Sequence, residues 1–183
     1  VVFPPATEPG IVAMSIRKQT VMNLDLSRYE ALGAFQGTIV RQGKNKDDIR
    51  LRELLDAGAV REFISQAVLL KKNIIISGGT STGKTTFMNA ALKEIPETER
   101  IISAEDAREV NLEHLPNHVH LLASKGGQGR SNVTTQDLIE ACLRLRPDRI
   151  ILGELRGAEA FSYLRAINTG HPGSISTLHA DTP

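Results

Sequence analysis

This sequence predicts an α/β fold built on a largely parallel sheet, and three observations carry the prediction. From residue 73 onward, apolar runs of strand length alternate with segments of helical periodicity. A Gly-rich turn, Gly78-Gly79-Thr80-Ser81-Thr82-Gly83, joins the first of those strands to a helix that opens on Lys84-Thr85. The run Arg149 to Gly153 is of continuous apolar character, as a strand covered by helices on both faces must be.

Taken in order, the elements follow from their residues. Residues 1 to about 40 begin Pro-rich, at Pro4-Pro5 and Pro9-Gly10. They continue as a short strand-like run, Ile11 to Ile16, and a polar, turn-rich stretch too small for a core of its own. Gln42-Gly43-Lys44-Asn45-Lys46-Asp47-Asp48 is charged and lacks apolar anchors, which predicts a linker. Leu51, Leu54 and Leu55, then Val60, Phe63, Ile64 and Ala67, recur every three or four residues and predict two short helices. Asn73 to Ser77 has the character of a buried strand, and Lys84 to Lys93 that of a helix. Arg100 to Ala104 and His118 to Ala123 read as strands, Thr135 to Arg146 as a helix, Arg149 to Gly153 as a strand, Ala158 to Thr169 as a helix and Ser174 to Leu178 as a strand. Thr134 with Asp137 makes a capping box for the Thr135 helix, and Pro147 ends it.

Composition narrows the function. With 183 residues and 40% hydrophobic side chains, the chain can bury one substantial core. Its 22 basic against 21 acidic side chains give no overall pull toward nucleic acid or anionic lipid, and 4% aromatic residues offer few stacking groups. No apolar stretch approaches the roughly 20 residues that cross a bilayer, and the N-terminus lacks a signal-peptide layout. A single cysteine excludes an internal disulfide. Cys142 shares a helical face with Leu138, Ala141 and Leu145 and reads as core. The missing initial Met and an end at His179-Ala180-Asp181-Thr182-Pro183 predict a fragment of a longer protein.

The chemistry starts at the turn. Gly78 to Thr85 matches the full phosphate-loop pattern, in which glycines let several backbone N–H groups face one anion and the following helix adds its positive end. The nucleotide-binding set is Gly78, Gly79, Thr80, Ser81, Thr82, Gly83, Lys84, Thr85 and Thr86. Lys84 reaches the β- and γ-phosphates of a triphosphate such as ATP, and the Thr85 hydroxyl takes one position on Mg²⁺. Glu154 ends a buried strand beside this loop, where a second metal-shell carboxylate belongs, although it also favours the N-terminus of the next helix. Glu105-Asp106 closes another strand, with a local cap by Ser103 and Asp106 as the competing reading. His179 at a strand end is placed to sense the γ-phosphate, while His171, between Gly170 and Pro172, shapes a turn. The absence of Cys partners argues against zinc. Lys125-Gly126-Gly127-Gln128-Gly129-Arg130 is a Gly-rich basic connector, or a contact for an anion or a neighbouring subunit.

Four boxes together resemble the secretion ATPase superfamily: Gly78 to Thr85, Ser103 to Asp106, Leu145 to Gly157 and Gly170 to Ala180. The Gly-Gly-Thr opening of the phosphate loop, Arg146-Pro147-Asp148-Arg149-Ile150 and Ser15-Ile16-Arg17-Lys18 look most like its type IV secretion hub, or VirB-eleven-like, branch. The resemblance implies a RecA-like phosphate-loop NTPase domain over residues 60–183. It implies that residues 1–40 end a smaller α+β sensor-like domain, with a linker over 41–59. It further implies a homo-hexameric ring working with other secretion subunits at the cytoplasmic face of the inner membrane, without a membrane span or sequence-specific nucleic acid contact. Residue by residue, Lys84 and Thr85 correspond to the Walker A ligands, Glu105 to the water-activating carboxylate, Glu154 to the Walker B acid and metal-shell residue, and His179 to the His-box histidine. Arg17 corresponds to an N-terminal arginine that approaches the γ-phosphate, and Arg156 follows the acidic strand as in the family. Ala104 is smaller than the apolar residue relatives often carry. The implied activity is ATP hydrolysis that drives type IV secretion. A type II secretion or type IV pilus motor shares all four boxes, and a nucleotide-gated scaffold with little hydrolysis is the reading outside enzymes.

Overall fold

The computed structural model describes residues 1–18, 25–36, 45–123 and 133–180. In chain order the elements are α1 (Leu26–Ala31), α2 (Lys46–Asp56), α3 (Val60–Leu69), β1 (Ile74–Gly78), α4 (Lys84–Leu92), β2 (Ile101–Glu105), β3 (His118–Leu122), α5 (Thr135–Leu145), β4 (Arg149–Leu155), α6 (Glu159–Asn168) and β5 (Ile175–His179). The five strands form one sheet in the order β1-β5-β4-β2-β3, every named pair parallel. The crossover through α4 carries the chain from β1 past two strand positions to β2, so the C-terminal strand ends open onto a crevice beside the Gly-rich turn.

Alternation along the strands divides the core between two faces. Ile101, Ile151 and Ile175 pack with Val68 of α3, Met88, Ala91 and Leu92 of α4, and Val110, Leu112 and Leu115 of the β2–β3 connection. Ile102, Ala104, Val119, Leu121, Ile150 and Leu152 pack with Leu138, Ile139, Cys142 and Leu145 of α5 and with Tyr163 and Ala166 of α6. The expected α/β class with a mainly parallel sheet is thus realised, with helices on both faces. Cys142 is fully buried in this core, which pushes its thiol up to about 12.

Local chemistry fixes the element ends. The Thr134–Asp137 capping box is formed in both directions, and α5 ends with Arg146 in the left-handed region at φ 54 before Pro147. Three expectations need correction. The apolar β1 is an edge strand in which Ile75 is 48% exposed, because α5 and α6 reach across β2–β4 on that face and leave β1 uncovered. The run Ile11 to Ile16 forms no strand. Val2 and Ala13 make an isolated antiparallel bridge, and Thr7 makes another with Leu121 on the edge strand β3. The charged stretch read as a linker starts a helix at Lys46, because Asn45 caps it and Asp47 and Asp48 sit in its favourable first turn.

The N-terminal segment borrows its burial from the main sheet. Ala6 and Ala13 join the core on the α5 side, the Leu122 N–H donates to the Ala6 carbonyl, and Glu8 pairs with Arg108. At the other end of the sheet Arg149 is fully buried, with Nε and Nη2 donating to Glu99 at 2.7 and 2.9 Å and Nη1 to the Val68 carbonyl at 2.7 Å. The bond to Val68 joins the base of β4 to the end of α3. The Lys125 to Arg130 connector lies outside the described residues.

Candidate functional site

A cavity of about 440 Å³ opens at the C-terminal ends of the strands. The Gly-rich turn forms one side of it. Gly83 sits at φ +84 as the N-cap of α4, a left-handed conformation that glycine adopts without strain, and it offers no side-chain cap, so the first N–H groups of α4 remain available to an anion. Gly78 has a different reason to be glycine: a Cβ there would stand 2.9 Å from Thr82 Oγ1, inside the loop itself. The cavity is lined by Thr80 through Thr86, while Gly78 and Gly79 shape the turn behind it. Lys84 folds back, its ammonium 2.5 Å from the Gly79 carbonyl.

Because β5 lies between β1 and β4, its last residue, His179, falls between Lys84 and Glu154. His179 Nδ1 is 3.5 Å from Lys84 Nζ and Nε2 is 3.1 Å from Glu154 Oε1. The lysine can only donate and an ionised carboxylate can only accept, which places the imidazole proton on Nε2. The register of β4 against β5 shifts between Leu152 and Leu155, and this irregularity turns Glu154 into the cavity. Arg156 Nη2 contacts the second Glu154 oxygen at 2.5 Å, and Nη1 contacts Asp106 at 3.1 Å. The hydrogen bond and charge of Glu154 outweigh desolvation and raise the Arg156 guanidinium above its ordinary value. Glu159, the first residue of α6, accepts from the N–H groups of Arg156 and Gly157 and so ties down the turn that leads into the helix, while Glu154 faces the cavity.

Glu105 is engaged from every side. Its Oε1 faces Ser103 Oγ at 2.6 Å and His120 Nδ1 at 3.0 Å, and its Oε2 accepts from the N–H groups of Glu109 and Val110, both at 2.8 Å. A carboxylate has about four lone-pair sites, and four donors take them. Burial would raise its pKa, but these bonds from His120, Ser103, Val110 and Glu109 prevail and hold it below the usual carboxylate range. Glu105 lines the cavity at 2% exposure, with all four of these donors on its two oxygens. Asp106, rather than capping with Ser103, accepts from Thr135 Oγ1 at 3.0 Å and ties the start of α5 to the site.

The residue missed by the sequence reading is Glu109. It lines the cavity, is exposed, and has Oε2 3.3 Å from the Thr85 hydroxyl. Its signal was present as the third acid after Glu105-Asp106, but a turn position does not reveal where a side chain points. Arg17 is exposed and lies outside the cavity lining. His171 Nδ1 donates to the Pro147 carbonyl at 2.9 Å, in keeping with a turn-shaping role. Among the described residues no group of three or more His, Cys, Asp or Glu forms a metal cluster, and no helix is long and apolar enough to cross a membrane.

Residues 36–183 match the family model described as type II/IV secretion system protein. The chain is 41% identical over 194 residues to the type IV secretion system protein VirB11 of Bartonella quintana, spanning 100% of this chain and 54% of that protein. It is 43% identical to the type IV secretion system protein PtlH of Bordetella pertussis, spanning 98% of this chain and 53% of the relative. The crystal structure of the VirB11 ATPase of the Brucella suis type IV secretion system, in complex with sulphate, superposes with a TM-score of 0.90 at 37% identity, over 99% of this chain and 52% of that one. The chain therefore spans about half the length of these relatives. The likeness places its sheet and helices in the RecA-like α/β fold.

Proposed function

Since the chain belongs to the type II/IV secretion system protein family, we propose that it forms the nucleotide-hydrolysing part of a type IV secretion ATPase, which converts ATP to ADP and phosphate to drive assembly of the apparatus or passage through it. One observation carries the reading. Lys84, His179 and Glu154 form a continuous polar chain across a single cavity, and Glu109 meets Thr85 at its edge. Likeness over the whole chain to VirB11 and PtlH proteins supports the type IV assignment over a type II or pilus motor.

Each residue has a role suited to its position. Lys84 exchanges the Gly79 carbonyl for phosphate oxygens, and the free N–H groups at the start of α4 take further oxygens. The residues also fit Mg²⁺: with a hydroxyl at Thr85 and a carboxylate at Glu154, the ion would keep its remaining positions for phosphate and water, as this hard, strongly hydrated cation prefers. It would supply neutralisation of the phosphate charge. Glu109, exposed, with its carboxylate bonded to the Thr85 hydroxyl and within reach of the Arg156 charge, orients the attacking water in place of Glu105. His179 links the lysine to the acid and so registers whether phosphate occupies the space between them. Arg17 is assigned no step. The active form is a ring of six copies that meets other secretion subunits at the cytoplasmic face of the inner membrane.

The test is nucleotide binding and native mass measured together on the full-length protein. Displacement of a fluorescent ATP analogue by ATP, but not by AMP, with a mass near six copies is expected. A monomer that ignores ATP would overturn the reading.

A further inference from the structure

At the cavity floor lies a polar cluster: Glu105 lines the cavity, and Ser103 and His120 sit behind it. Parallel pairing sets Ser103 of β2 directly beside His120 of β3 on the sheet face covered by the β2–β3 connection. Ser103, Glu105 and His120 are 0, 2 and 1% exposed. Ser103 Oγ donates to Glu105 Oε1 at 2.6 Å, and His120 Nδ1 lies 2.7 Å from Ser103 Oγ and 3.0 Å from Glu105 Oε1. A carboxylate oxygen only accepts, so Nδ1 carries the proton. The ring is steadied edge-on by His118, centroids 5.4 Å apart, and His118 donates in turn to the Leu115 carbonyl at 2.6 Å. His120 Nε2 is buried with no hydrogen-bond partner. An apolar side chain would avoid that cost, so the imidazole is explained by what Nδ1 holds.

What it holds leads to the site. Glu105 Oε2 binds the N–H groups of Glu109 and Val110, fixing the turn that follows β2. Asn89 of α4 grips the same turn from the other side, Nδ2 donating to the Glu109 carbonyl at 2.9 Å and Oδ1 accepting from the Asn111 N–H at 2.9 Å. The backbone of Glu109 is thereby clamped on both its polar groups, with its carboxylate toward Thr85. We propose that His120 and Ser103 act through Glu105 as positioning residues, holding Glu109 in register with the phosphate loop for hydrolysis. This rests on the hydrolytic reading above. The cluster spends polar burial to aim a side chain that sits on a turn.

The variants separate position from stability. His120→Asn retains a donor where Nδ1 stands, and His120→Leu fills the space without one. On full-length protein with saturating Mg²⁺ and ATP, His120→Leu lowers kcat by about 10- to 100-fold, the cost of misplacing a reacting group by around an ångström, with KM within about twofold of wild type. His120→Asn stays within about threefold of wild type, because the donor is kept. The proposal is overturned if His120→Leu turns over at the wild-type rate, or if Asn and Leu are equally impaired. Should His120→Leu fail to bind nucleotide through misfolding, Ser103→Ala carries the test: lowered kcat at unchanged KM supports the proposal, and unchanged kcat overturns it. The hydrolytic reading fails separately, through absent wild-type turnover, whereas an active Glu109→Gln variant overturns the positioning proposal alone.

Discussion

Replacing Arg149 with methionine should be among the most destabilising single changes in this domain. The guanidinium is fully buried and makes a bidentate pair with Glu99 at 2.7 and 2.9 Å, plus bonds to the Val68 carbonyl at 2.7 Å and the Gly173 carbonyl at 3.4 Å. Methionine leaves those two carbonyls without this donor. It also leaves the Glu99 carboxylate, with an 11% exposed side chain, facing Lys71 alone at 3.4 Å. Breaking a buried pair in this way costs about 3–5 kcal/mol. Against a total stability of about 5–15 kcal/mol, that is a large fraction. At about 2–4 °C per kcal/mol for a domain of this size, Tm falls by roughly 6–20 °C. Far-UV circular dichroism during thermal and urea unfolding reads the change. Removing both charges as Glu99→Leu with Arg149→Met should recover much of the loss, since no charge is then stranded. The pH dependence follows from the sign. Burial works to raise the Glu99 pKa, but the Arg149 bond and charge and Lys71 outweigh it and hold it below the ordinary range. Its contribution is therefore complete at neutral pH, where the unfolded carboxylate is also ionised, and is lost as the pH falls through the lowered folded value. A Tm drop under about 2 °C for Arg149→Met, or a double variant as unstable as the sum of the singles, would refute the reasoning.

Other expectations follow from the same contacts. Glu109→Gln should lower ATP turnover by about 100-fold or more while nucleotide binding persists; full turnover in this variant, with Glu105→Gln inactive, would return the water-orienting role to Glu105. Thr134→Ala removes the side chain that accepts the Asp137 N–H at 3.2 Å and donates to its carboxylate at 2.7 Å, and should cost about 0.5–2 kcal/mol in urea unfolding. Cys142, with its thiol pushed up to about 12 by burial, should resist a thiol reagent at pH 8 in the folded protein and react at once in urea, whereas rapid native modification would contradict its burial.

Where local chemistry decides, the sequence was informative. The phosphate loop, the strand-terminal Glu154, the capping box at Thr134 and the alternation of strands and helices each follow from neighbouring residues. Asn45 with Asp47 and Asp48 was a legible helix start as well, masked by a charge density that also suits a linker. What was not legible depends on contacts between distant positions. Ile74-Ile75-Ile76 looks the same in an edge strand as in a central one, and strand order decides which it is. Glu105 and Glu109 are both acids near a strand end. Capture of the first by Ser103, His120 and two backbone N–H groups is what leaves the second facing Thr85. Burial of Arg149 needed Glu99, fifty residues earlier, to be brought beneath the same strand. His179 reached its place between Lys84 and Glu154 because β5 inserts between β1 and β4, an arrangement no local pattern encodes.

Lys84, Thr85, Glu109, Glu154 and His179 are proposed to make one hydrolytic site. Phosphate release from ATP by the full-length protein, with and without Mg²⁺ and beside Lys84→Ala, tests it most directly. Release should require Mg²⁺ and fall by at least about 100-fold in the variant, with Tm unchanged. Equal release from wild type and Lys84→Ala, or none from wild type while ATP is bound, would contradict it.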